Sequence, residues 1–232
     1  MRQDAAPKVY DANHLQPQLG VALDLDRVFD FFEETLGDLA HRHVITGPGV
    51  DPALASRLAL EDYRPSATWQ GLLRGELQGP PPPRCEIRPV EGEADWARLG
   101  ELVRANHVET DARTGGSIFS PEVTEQMQSV RRLASDEAHF FMLWDDAAPV
   151  AFFSSWPGVD GVGMVEDLFT LPSHRERGLA RALIHHCVAD ARARGARSVL
   201  IGAEIDDTPK QIYAAIGFEP TCLTWSWVKQ PA

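Results

Sequence analysis

The sequence contains no apolar run long enough to span a bilayer, and no apolar signal core follows Met1-Arg2-Gln3-Asp4. Neither a membrane nor an export route is expected; a soluble, cytoplasmic protein is. Cysteine is scarce. Cys85, Cys187 and Cys222 are odd in number and far apart, which gives neither a disulfide framework nor a zinc site, and no metal is expected. Cys187 falls in an apolar helical stripe, where packing rather than nucleophilic chemistry is its expected role. Basic residues are also short: 22 Lys and Arg face 34 Asp and Glu, a formal charge of −12. Binding along a nucleic-acid backbone needs clustered cations, so no nucleic-acid partner is expected. An acidic surface favours solubility and tolerates cationic partners.

What the sequence does have is ordinary apolar content, 44% of 232 residues, enough to bury a core in one large domain or two smaller ones. Gly79-Pro80-Pro81-Pro82-Pro83-Arg84 is the clearest boundary. Consecutive prolines fix φ, donate no N–H and favour an extended, stiff spacer. This linker, residues 79–84, divides residues 1–78 from residues 85–232.

The two parts invite comparison as a repeat. Aligned without gaps, Arg42, Val44, Gly47, Asp51, Ala59 and Pro65 meet Arg197, Val199, Gly202, Asp206, Ala214 and Pro220. Upstream, with a one-residue shift, Val9-Tyr10-Asp11 and Leu15 meet Val165-Glu166-Asp167 and Leu171. Both copies read as a short strand, a long amphipathic helix, a β-branched strand, a short helix and a final strand. In the N-terminal copy these fall near Val9–Leu15, Leu25–Ala40, His43–Thr46, Pro52–Leu60 and Thr68–Leu73. The C-terminal part places further elements ahead of its copy. These are a strand Glu86–Val90, helices Ala94–His107 and Pro121–Leu133, and strands His139–Trp144 and Val150–Ser155 before the turn-rich Trp156–Gly161. The order β-α-α-β-β-β-α-β-α-β-β describes an α/β protein with a mixed sheet.

Between Val165 and Ala180 a strand ends at Leu171, Pro172 stops it, and a polar turn enters a helix over Leu179–Ala193 that Gly195 closes. Gly178 and the small Ala180 leave backbone N–H groups uncovered, and the helix dipole adds partial positive charge. Together these describe an anion site, with Arg175 and Arg177 as mobile charge beside it. The same pattern, taken alone, also suits a plain strand-to-helix turn.

Arg175-x-x-Gly178-x-Ala180, behind Pro172, resembles the coenzyme signature of the GNAT superfamily of N-acetyltransferases. Asp206 to Phe218, DDTPKQIYAAIGF, is similar to a second segment of that family, Asn-x-x-Ala-x-x-Leu-Tyr-x-x-x-Gly-Phe. Asp206 and Pro209 depart from it, while Ile212-Tyr213 and Gly217-Phe218 keep it. Thr208, Pro209 and Gln211 also make a sound helix start by themselves. The resemblance covers roughly Arg84 to Ala232. It implies a GNAT-like acyl-CoA N-acyltransferase fold, preceded by a degenerate, non-catalytic half-repeat, with acetyl-CoA as acyl donor. It further implies that N–H groups of Glu176, Arg177, Gly178, Leu179, Ala180 and Arg181 cradle the pyrophosphate, and that Leu168, Phe169 and Thr170 pair with the pantetheine arm like an added strand.

Acetyl transfer to an amine needs a neutral nucleophile, support for an oxyanion and a proton for the departing thiolate, with proximity contributing much of the rate. The resemblance implies Tyr213 as the acid; a buried tyrosine with an ordinary partner is the plain alternative. Glu166 is the base candidate, acting through water, with Asp167 as fallback. Strand alternation sends these two to opposite faces, and either carboxylate is equally suited to binding a cation. In the family the acceptor site is built from the connection between the first two helices, here Asn106 to Gly116, where Glu109 and Asp111 would attract an amine. His107 is a further base candidate, although a histidine at a helix end is commonly structural. His185 and His186 point to different helix faces and make no metal site. Leu58 stands in the N-terminal copy where Tyr213 stands in the other, and Leu15-Gln16-Pro17-Gln18-Leu19-Gly20 lacks arginines where the turn belongs. The expected activity is direct ternary-complex transfer from acetyl-CoA to a small primary amine or a peptide amine. The alternative is a catalytically silent acyl-CoA-binding sensor or structural module. The N-terminal part lacks three strands of the fold and needs a surface to pack on, so a homodimer stays open.

Overall fold

The computed structural model describes residues 1–17, 24–116 and 118–230. The chain forms two compact units that interleave in sequence. One holds Met1–Gly71, Gly202–Gln211 and Pro220–Ala232; the other holds Leu72–Ile201 and Ile212–Glu219. The division does not fall at the proline run, which lies wholly inside the second unit.

In the first unit, α1 (Leu25–Leu36) starts at Asp24, whose carboxylate accepts the Arg27 N–H at 3.4 Å. Val28, Phe32 and Leu36 recur at i+4 on its inner face, and Gly37, a poor helix former, stops it short of the expected Ala40. After β1 (Arg42–Thr46), α2 (Pro52–Leu60) opens with Asp51 capping the Ala53 N–H at 2.9 Å and proline in the first turn. β2 (Arg64–Leu73) follows. The strand expected over Val9–Leu15 is absent: those residues turn, and Leu15 makes one isolated parallel bridge to Val44. Asn13 is the reason. Its buried amide donates to the carbonyls of Ala6 and Val9 at 2.7 and 3.0 Å and its Oδ1 accepts the Gln3 N–H at 2.8 Å, holding those groups away from a ladder. Gln18, Leu19 and Gly20, part of the copy's supposed turn, lie outside the described residues.

The strand order here is β1-β8-β2-β7, with β7 at Ser198–Glu204 and β8 at Glu219–Lys229. β8 is one eleven-residue strand where two were expected, and it runs antiparallel to β1 from Arg42↔Lys229 to Thr46↔Trp225. Phe32, Leu36, Leu54, Leu58 and Trp227 form the centre of the core. Burying each such side chain contributes about 1.5–3 kcal/mol. The Trp227 indole N–H finds Thr46 Oγ1 at 3.1 Å, so its polar edge is satisfied inside.

The second unit begins with β3 (Glu86–Pro89), α3 (Gly92–Thr114) and α4 (Pro121–Leu133). Then come β4 (His139–Asp145), β5 (Ala148–Val159), β6 (Val162–Thr170) and α5 (Leu179–Ala193). The first part of β7 and the second part of α6 (Pro209–Ala215) complete it. Its order is β7-β6-β5-β4-β3, antiparallel except for the β6–β7 pair. α3 runs well past the expected His107, because after Gly100, which the helix tolerates, neither glycine nor proline recurs before Gly115, left-handed at φ 68°. Leu99, Leu102 and Val103 of α3 pack on Phe140, Met142, Phe152 and Phe169. α5 packs on β5 and β6 and buries Leu183, Ile184, Cys187, Val188 and Ala191. Burial pushes the Cys187 thiol well above its usual value, as befits a packing residue. Among the described residues no helix is long and apolar enough to cross a membrane.

Two predictions follow from the first unit. Deleting residues 1–71 removes the whole of β1 and most of β2, the neighbours of β8, and uncovers Trp227; the truncated protein should show red-shifted tryptophan emission and lower solubility. Full-length-like emission and solubility would contradict this. Second, burial lowers His41 to about 4, with neighbouring His43 adding to the effect. The unfolded chain therefore protonates first as pH falls, so stability is complete above about pH 6.5 and declines towards pH 4, by about 3 kcal/mol for this group. Urea titrations across that range should show the slope, and His41→Leu should make it shallower without abolishing it, since buried His107 contributes in the same direction.

Candidate active site

β6 pairs with β7 only from Val162↔Ser198 to Val165↔Ile201. Its other edge continues along β5 as far as Ala151↔Thr170, so past Val165 one edge of β6 leaves the β7 ladder while the strand itself stays anchored. Leu168, Phe169 and Thr170 lie on that stretch. The β5 register slips between Phe152↔Phe169 and Ser154↔Glu166, which sets Asp167 and Leu168 opposite the single residue Phe153. This is a bulge, with Asp167 left-handed at φ 68°. Simple alternation along the strand breaks between Asp167 and Leu168, the two residues that share one partner, and not between Glu166 and Asp167. Asp167 Oδ2 accepts from Nε and Nη2 of buried Arg131, at 3.2 and 3.1 Å. Glu166 is half-buried, and its carbonyl accepts the Ser154 hydroxyl at 2.8 Å.

After β6 a 3₁₀ turn, Pro172–His174, leads to Glu176 and Gly178, left-handed at φ 62° and 77°. These two residues swing the chain into α5. Ala182 is the first residue to bond inside the helix, to the Gly178 carbonyl at 3.1 Å. The N–H groups of Leu179, Ala180 and Arg181 have no intrahelical acceptor, and no side chain caps them. A Cβ on Gly178 would stand 3.1 Å from Pro83 Cδ, so this corner admits only glycine comfortably. The uncapped, positively polarised start of α5 fits a phosphate.

Both arginines of the motif are ion-paired. Arg175 donates through Nε to the Thr170 carbonyl at 3.0 Å and through Nη2 to Glu109 at 2.7 Å. Arg177 pairs with Asp145 at 2.8 Å, holding that carboxyl below the usual range, with His174 on the same oxygen at 3.4 Å. Both side chains fasten the turn. Glu109, a helical residue rather than a loop residue, is thus tied to the turn, while Asp111 accepts the N–H groups of Ile118 and Phe119 at 3.0–3.3 Å. The true helix connection is short, from Gly115 to Ser120. Beside it, a groove of about 510 Å³ runs along α3, bounded by Arg104, Val108, Ala112, Phe169 and Pro172.

His107 is buried, stacks on Phe119 with ring centres 4.3 Å apart, and shares 2.8 Å with Thr124 Oγ1. Burial, then Arg131 and Arg104, push it down to about 4, so it is neutral at pH 7. Tyr213 is buried on α6, its ring 6.2 Å from Phe218. Leu58, which the repeat aligns with it, is a fully buried core residue. Arg131 and Asp145 carry no motif signal; only the three-dimensional pairing marks them.

Residues 104–218 match the model of the Acetyltransferase (GNAT) family. They form a GNAT acetyltransferase domain. A GNAT-family protein of known structure from Kribbella flavida shares 21% identity with a TM-score of 0.64, over 93% of this chain and 79% of that one. A conserved protein of unknown function from Staphylococcus epidermidis superposes with a TM-score of 0.71 at 11% identity, over 97% and 88%. A tandem GNAT protein from the clavulanic acid biosynthesis pathway gives 0.56 at 18%, over 84% and 66%. At these identities the likeness speaks for the fold. No curated protein matches the sequence significantly. GNAT domains transfer acyl groups from acyl-CoA, and no group of three or more His, Cys, Asp or Glu among the described residues is placed to hold a metal.

Gly178→Glu should abolish acetyl-CoA binding in calorimetry, since it sets a carboxylate at the helix start and forces a left-handed residue into Pro83. Wild-type affinity in that variant would remove the site from this turn.

Proposed function

We propose that the domain transfers an acetyl group from acetyl-CoA to a primary amine, on a small molecule or a peptide, within a ternary complex. One observation carries this reading. The edge of β6 that leaves the ladder past Val165 leads, through the Pro172–His174 turn and Gly178, to the uncapped start of α5. A ligand bearing an extended amide arm and a diphosphate meets both in sequence: backbone groups of Leu168, Phe169 and Thr170 for the arm, N–H groups from Glu176 to Arg181 for the diphosphate.

In this reading Glu166, at the bulge, takes the proton from the amine through a water. The amine nitrogen bonds to the thioester carbon as the carbon–sulfur bond breaks, and Tyr213 donates or shares its proton with the departing thiolate. Asp167 is held by Arg131 on one oxygen, which suits it to orienting a cationic acceptor rather than to shuttling protons.

Thiol release from acetyl-CoA, followed across a panel of amines, tests the proposal. Tyr213→Phe should lower kcat by about 100-fold with little change in KM for acetyl-CoA. Tight coenzyme binding without release for any amine would instead make the domain a silent acyl-CoA sensor.

A further inference from the structure

The proline run lies in the same unit as the turn and is laid against it. Gln78 donates its N–H to the Ile216 carbonyl at 2.9 Å, Arg192 reaches Glu76 at 3.1 Å, and Arg181 donates to the Pro80 carbonyl at 3.1 Å. Pro83 then meets Gly178, at the start of α5. The next residue but one, Cys85, lies close enough to Arg177 and Asp145 to feel both charges. Arg84 is therefore fixed between two neighbours that both sit at the turn. It is exposed, and among the described residues it has no ion-pair or hydrogen-bond partner.

Charge makes that position informative. An acyl-CoA brings a diphosphate and a 3′-phosphate. Arg175 and Arg177 are matched by Glu109 and Asp145, and Arg181 donates to the Pro80 carbonyl. The motif alone offers N–H dipoles but little uncompensated positive charge, in a chain whose formal charge is −12. Arg84 is a cation outside the motif whose two chain neighbours lie at the turn.

We propose that the Gly79–Arg84 strap is one wall of the coenzyme phosphate site and that Arg84 is a phosphate-binding residue, held in place by the stiffness of the prolines before it. A rigid spacer keeps the guanidinium at the cradle, so less ordering is needed when the anion arrives. The inference rests on the acetyl-CoA reading of the turn.

Calorimetric titration of the full chain with acetyl-CoA tests it. Arg84→Gln should weaken binding roughly tenfold or more, Arg84→Lys should retain most of it, and the difference from wild type should shrink as salt rises. Acetyl-dephospho-CoA separates the two phosphate sources: an undiminished penalty assigns Arg84 to the diphosphate, and a vanished penalty assigns it to the 3′-phosphate. Replacing Pro81 and Pro82 with glycine should weaken binding in the same direction. If wild-type protein binds acetyl-CoA and Arg84→Gln binds equally well, the inference is wrong. If wild-type protein does not bind acetyl-CoA, the reading of the turn fails first.

Discussion

Three N–H groups at the start of α5 have no acceptor in their own helix, and much of the second unit is arranged to keep them so. A side chain at position 178 would crowd the corner, so glycine occupies it. A capping serine or aspartate would satisfy those donors internally and remove the reason for an anion to come. Glu176 accepts a left-handed conformation that non-glycine residues take at a cost of about 1 kcal/mol or more. The ion pairs of Arg175 and Arg177 secure this conformation on both sides. The bare motif does not reveal these pairings.

The second constraint is the bulge of β6. A strand bonded on both edges has nothing to offer a ligand; a strand bonded on one edge does, provided the other edge holds it firmly. The slip at Asp167 and the early end of the β7 ladder give β6 that character. Buried Arg131 grips the left-handed Asp167, so a helix remote in sequence sets the direction of a strand residue.

Those features explain what was readable in the residues and what was not. Helices α2, α4 and α5 announce themselves through proline, caps and periodic apolar positions, and their ends are local decisions. The turn was readable because its glycine and its proline are local too. The Val9–Leu15 strand failed because Asn13, a single side chain, diverted the backbone bonds. The bulge, the Arg131–Asp167 pair and the tethering of Glu109 depend on residues far apart in sequence, so spacing carries no trace of them. The length of α3 was underestimated because its inward-facing residues thin out after His107 while its helix propensity does not.

The position of β8 has a consequence for how the protein is made. Trp227 closes the core of the first unit and bonds to Thr46, a residue 181 positions earlier. During synthesis α1, β1 and α2 emerge well before β8 and wait for it with part of their apolar surface uncovered. Such non-local closure is slow and leaves an intermediate open to aggregation or chaperone capture. The second unit has fewer such debts, since β4, β5 and β6 are consecutive neighbours. The first unit therefore joins segments made far apart in time, and its core closes only when the later one is present.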